Sequence, residues 1–123
     1  RPIHVSDVRR LDQATGSALG QVERRNEPIG RALLNTMAAW DYAYGFMDNY
    51  SYGCLAAGRL DLCVNLLDQP WDCAAAACIV REAGGTYSDI DGNRSVHNGS
   101  IVLSNGHLHE AILARLACGT SCP

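Results

Sequence analysis

The sequence predicts an α/β fold in which strands and helices alternate around a layered core. Short β-branched runs such as Ile101-Val102-Leu103-Ser104 stand between longer helix-like stretches, and Gly and Pro punctuate the boundaries. The chain has 123 residues, 47% of them hydrophobic and 19% charged, which fits one globular domain over residues 1-123. No internal repeat or low-complexity linker divides it.

Taken in order, Pro2 to Ser6 and Thr15 to Leu19 read as strands. Pro28 to Trp40 reads as a helix with Pro28 in its first turn. Leu33, Leu34, Met37 and Trp40 recur there at helical spacing and are expected in the core. Tyr50 to Ala57 reads as a second helix and Leu60 to Leu66 as a strand. Asp72 to Ala83 is the central helix, followed by a strand from Gly85 to Ser88. Asp89-Ile90-Asp91-Gly92, with Asn93 beside it, reads as a strand-to-turn connection. A strand from Ile101 to Ser104 and an amphipathic helix from Gly106 to Ala117 complete the chain.

Net charge is −3, and all ten basic residues are arginine. Arg9-Arg10 and Arg24-Arg25 are the only tight basic clusters, too little for a phosphate-tracking stripe, so no nucleic-acid partner is expected. No apolar run approaches the roughly 20 residues of a membrane span, and no membrane partner is expected either. The chain opens on Arg1 instead of methionine, which points to processing, excision or an engineered boundary. Six cysteines are present. Cys73 and Cys78 fall on one helix, and Cys54 and Cys63 lie in apolar segments where free cysteine behaves as a small hydrophobe. Cys118 and Cys122 are the pair expected to oxidise first. Free thiols in a reducing cytoplasm are the expectation, because no Cys-x-x-Cys motif or disulfide framework is evident.

The most informative run is Trp71-Asp72-Cys73-Ala74-Ala75-Ala76-Ala77-Cys78-Ile79-Val80-Arg81-Glu82-Ala83-Gly84-Gly85. Asp72 sits at the mouth of a very apolar helix, as an N-cap or first-turn residue, and Gly84-Gly85 ends the helix. Its length of roughly 18 Å, at 1.5 Å per residue, crosses one layer of a small domain. An aspartate there is either a cap or a ligand.

This run, with Tyr87, Ser88, Asp89, Ile90, Asp91 and Gly92 after it, resembles the C-terminal signature of the inositol monophosphatase family. The segment Tyr52-Gly53-Cys54-Leu55-Ala56-Ala57-Gly58-Arg59-Leu60-Asp61 is similar to one favoured by the histidinol-phosphatase-like members. The resemblance runs from Ile3-His4-Val5-Ser6 to Leu108-His109-Glu110-Ala111. It implies the C-terminal half of that fold: a mainly parallel or mixed sheet flanked by helices. It also implies a Mg²⁺ ligand at Asp72, since a hard cation seeks carboxylate oxygens. Asp48 and Asn65 match substrate-facing positions. At the latter the family usually carries a carboxylate, and asparagine favours hydroxyl hydrogen bonding over pairing with an amine.

Family members carry the other metal ligands in an N-terminal region with a glutamate and an Asp-Pro-[Ile/Leu]-Asp-Gly-Thr motif, which this sequence lacks. Weak Mg²⁺ affinity and a near-background phosphatase rate are therefore expected of the chain alone. His4, His97, His107 and His109 are expected to be ordinary surface histidines, His4 within a strand. Two functional readings follow. One is half of a Mg²⁺-dependent phosphomonoesterase acting on a small polyol or amino-alcohol phosphate, partnered by the missing N-terminal half. The other is a self-standing non-catalytic domain that forms a homo-oligomer or binds a partner through the apolar surface that half would cover.

Overall fold

A computed structural model describes residues 3–44, 49–67, 70–94 and 99–121. Five strands form one mixed sheet: β1 (Thr15–Leu19), β2 (Tyr42–Tyr44), β3 (Leu62–Asn65), β4 (Thr86–Ser88) and β5 (Ile101–Ser104), in the order β2-β1-β3-β5-β4. β1 pairs in parallel with both β2 and β3, whereas β5 runs antiparallel to β3 and β4. Three helices connect strands, α1 (Pro28–Met37), α2 (Asn49–Ala56) and α3 (Pro70–Glu82), and α4 (His109–Ser121) follows β5. The predicted α/β layering and the mixed sheet are both present.

Alternation along each strand sorts the core into two layers. Ala18, Leu62, Val64 and Val102 pack with Ile29, Ala32 and Leu33 of α1 and Leu108, Ile112 and Leu116 at α4. Cys63, Ile101 and Leu103 point the other way, onto Tyr52 and Leu55 of α2 and Ala76, Ala77 and Val80 of α3. The connections through α1 and α2 run in opposite directions across the sheet, and a single crossover handedness then requires opposite faces.

Several expectations need correction. Pro2 to Ser6 was expected as a strand, but Ile3 to Ser6 belong to no ladder. Val5 N donates to Ala83 O at 3.0 Å, and the Val5 side chain is buried with Ala56 and Ala83. The segment docks on the ends of α2 and α3, so His4 lies exposed outside any strand. β2 was not anticipated. It has three residues, with Ala43 packed on the core and both tyrosines exposed. Within α1 the buried residues are Ile29, Gly30, Ala32, Leu33 and Thr36, a single face that leaves Leu34 39% exposed.

α4 begins at His109 and not Gly106, whose φ of 90° is not helical. Asn105 Oδ1 instead receives the backbone N–H groups of His107 and Leu108 at the helix entrance. α3 begins at Pro70, two residues earlier than expected, and ends as expected with Gly84 at φ 97°. The Asp89 to Asn93 turn is also as expected. Asp89 Oδ1 accepts from the Asp91 and Asn93 backbone, each at 2.9 Å.

Candidate active site

β1, β2 and β3 run parallel, so their C-terminal ends share one end of the sheet, and α1, α2 and α3 all start from that end. Helix N-termini carry exposed N–H groups and a partial positive charge, which favour an anion. Open α/β sheets bind ligands at the carboxyl ends of their parallel strands. α4 follows an antiparallel strand and starts from the opposite end.

Asn65 is the last residue of β3 and stands at this end, 8% exposed. Its Nδ2 donates to Tyr52 Oη on α2 at 3.3 Å, and its Oδ1 accepts the Leu67 backbone N–H at 2.8 Å. One amide hydrogen is left over by those two bonds, enough to donate to a ligand oxygen. Tyr52 as its partner was not foreseen. The only signal in the sequence was the rule that a buried carboxamide must find partners.

The β1–α1 loop braces the same end. Leu66 N donates to Leu19 O at 2.8 Å, and Arg24 Nη1 reaches Leu66 O at 3.3 Å while its Nη2 pairs with Glu27 at 2.9 Å. Gly30 allows this loop to close on α1, since a Cβ there would lie 1.9 Å from Arg24 O.

Asp72 is the third residue of α3 and so occupies the first turn, not the N-cap. The topology brings the start of α3 to the Asn65 end. Asp48 lies outside the described residues. Among the described residues, no group of three or more His, Cys, Asp or Glu side chains comes together to hold a metal. Asn65 Oδ1 is already engaged by backbone. The described residues therefore do not by themselves make the octahedral oxygen cage that Mg²⁺ requires.

Alongside this end, α3 carries an apolar exterior. Ala74, Ala75, Cys78 and Ile79 face solvent, Ile79 at 47%. A groove of about 460 Å³ runs along it, lined by Ala74, Ala77, Cys78, Arg81, Glu82 and Tyr87. Tyr42 and Tyr44 flank the sheet at 56% and 39% exposure, with ring centroids 4.8 Å apart. Cys63 is buried, Cys54 half-buried, and Cys78 and Cys118 are exposed; Cys122 lies outside the described residues. Burial pushes the Cys63 thiol up to about 12. Among the described residues, no helix is long and apolar enough to cross a membrane.

Comparison with known proteins agrees with this architecture. Residues 1–121 match the profile of the inositol monophosphatase family. A histidinol-phosphatase from Streptomyces coelicolor is 38% identical over 116 residues, covering 93% of this chain and 43% of that protein. A fructose-1,6-bisphosphatase/inositol-1-monophosphatase from Thermotoga maritima is 30% identical over 119 residues, covering 90% of this chain and 43% of that protein. Among solved structures, the Thermotoga maritima IMPase superposes with a TM-score of 0.82 at 25% identity, over 97% of this chain and 46% of its own. The extragenic suppressor protein SuhB from Bartonella henselae gives 0.80 at 28% identity, over 95% and 48%. The chain spans less than half the length of these relatives.

Proposed function

The chain belongs to the inositol monophosphatase family, and from that premise we propose that it is the C-terminal half of a Mg²⁺-dependent phosphomonoesterase. Its substrate class is a small polyol or amino-alcohol phosphate, of the inositol phosphate or histidinol phosphate kind. The observation that carries this reading is the exterior of α3. A helix with Ala74, Ala75, Cys78 and Ile79 in water is built to be covered, and the relatives have as much chain again to cover it.

On this reading, residues 1-123 form a single domain in which Asp72 supplies one carboxylate of a Mg²⁺ site. The other ligands belong to the N-terminal half that the relatives possess. Asp48 and Asn65 face the organic part of the ester, with Asn65 donating its remaining amide hydrogen. One carboxylate holds Mg²⁺ weakly, so the isolated chain is inactive. The unbridged thiols of Cys54, Cys63 and Cys78 support a cytoplasmic location.

The same exposed face also supports a second reading, a self-standing non-catalytic domain that self-associates through α3. Phosphate release from inositol 1-phosphate and histidinol phosphate, with and without Mg²⁺, tests the first reading. The folded chain alone is expected to give background release, with Mg²⁺-dependent turnover appearing once an N-terminal half from a histidinol-phosphatase is supplied and vanishing in Asp72→Asn. Turnover by the chain alone would overturn the inactive-half reading. Metal-independent dimers without rescue would favour the second.

A further inference from the structure

His109 was expected at the surface and is instead 8% exposed, held between two strands. Its Nε2 lies 2.8 Å from Ser88 Oγ on β4, and its Nδ1 lies 2.9 Å from Ser104 Oγ on β5. The hydroxyl hydrogens decide the tautomer. Ser88 Oγ–H donates to Asp89 O at 2.8 Å, so toward the ring Ser88 can only accept, and Nε2 carries the hydrogen. With the hydrogen on Nε2, Nδ1 is an acceptor, so Ser104 Oγ–H donates to it while Ser104 Oγ accepts the Gly106 N–H at 3.1 Å. Every hydrogen in this chain of bonds has one acceptor when the imidazole is neutral.

A second proton disrupts that arrangement. On Nδ1 it would turn Ser104 Oγ from donor to acceptor and take away the acceptor of the buried Ser104 hydroxyl hydrogen, and the cation would sit at the first residue of α4, the positive end of the helix. Arg94, in the β4–β5 connection, repels it, and Asp89 directs Oδ1 to the Asp91 and Asn93 backbone. Glu110 on α4 is exposed, β5 has no titratable side chain, and Arg31 of α1 is turned to Asn26 O.

We propose that His109 is an acid-sensitive latch, a neutral imidazole that pins the N-terminus of α4 to strands β4 and β5 and releases them on taking up a proton. Burial, with Arg94 second, pushes the imidazole down to about 4, in keeping with this geometry. Release would loosen Leu108, Ile112 and Leu116, which close the core against α1. The latch lies at the β4–β5 edge and is independent of the phosphatase reading.

Nitrogen-15 NMR of the labelled chain tests it. The expected result is a neutral Nε2–H imidazole for His109 that changes only below about pH 5, together with loss of amide-exchange protection from Ile112 to Leu116. An Nδ1–H tautomer, or titration near the ordinary value of about 6.5 with α4 still protected, would overturn the latch. His109→Gln is expected to remove most of the fall in the urea midpoint that wild type shows on acidification from about pH 6.5 to 4. An unchanged fall would also overturn it. If that variant does not fold, Ser104→Ala, which removes the donor to Nδ1, is expected to raise the proton affinity of His109 about tenfold or more. No change in affinity would count against the latch.

Discussion

The two helical layers bury equally well on the inside and differ on the outside. α1 and α4 present Arg31, Asn35, Glu110 and Arg115 to water, interspersed with Leu34, Ala111, Ala114, Ala117 and Cys118, whereas among the described side chains α3 presents the unbroken set Ala74, Ala75, Cys78 and Ile79 before its first charge. Among the described side chains of α3, the exposed charges are Arg81 and Glu82, in the last turn. Charges spread over an exterior suit contact with solvent. A stretch of small apolar residues suits contact with another surface that can approach closely, and on the proposed reading α3 is where an N-terminal half would lie.

The largest expected effects test whether the inner faces are as alike as they look. Leu33 beneath α1 and Leu55 beneath α2 are both fully buried. Leu33→Ala and Leu55→Ala should each cost about 3 kcal/mol or more in urea unfolding. A much smaller loss at Leu55 would mean that the α2/α3 layer packs loosely until it is covered.

Next comes acid. The unfolded His109 imidazole takes up a proton near 6.5, while the folded one resists down to about 4. Between those values the unfolded chain binds more protons, so stability is fully present above about pH 6.5 and falls as pH drops toward 4. The loss should be on the order of 3 kcal/mol, measured by urea melts across that range. The α1/α4 layer should loosen first, because His109 belongs to it.

A smaller energetic effect carries a larger diagnostic one. Ile79→Ser should change the stability of the isolated chain by only about 1 kcal/mol, because half of the side chain is already in water. The same change should reduce any self-association seen by light scattering. If association persists unchanged, the contact lies off α3. The mildest test is chemical. Cys78 and Cys118, on the exteriors of opposite layers, should both react rapidly with a thiol reagent at about pH 8. Cys63, buried with its thiol pushed up to about 12, should react only as the chain unfolds, as mass spectrometry of the labelled peptides would show.

Much of this was legible in the order of residues. Thr15–Leu19 and Ile101–Ser104 have the bounds read from the sequence, and Pro28 and Gly84 mark helix ends through rules that act within one turn. The candidate site was legible less directly. Asn65 and Asp72 stood out through a family resemblance, and the parallel strands explain why the end of β3 and the start of α3 fall together.

Periodicity, capping and turn chemistry act over a few neighbours, so the sequence by itself determined the four helices, most of the strands and the apolar character of α3, while the three-residue β2 escaped it. The fate of individual polar groups depends on partners brought together by the sheet, 13 positions apart for Asn65 and Tyr52 and 21 for Ser88 and His109. Only the tertiary structure decided that His109 is a buried neutral donor and acceptor, that Ile3 to Ser6 docks on helix ends, and that three helices begin at one end of the sheet. No local pattern encodes which distant hydroxyl will stand 2.8 Å from an imidazole nitrogen.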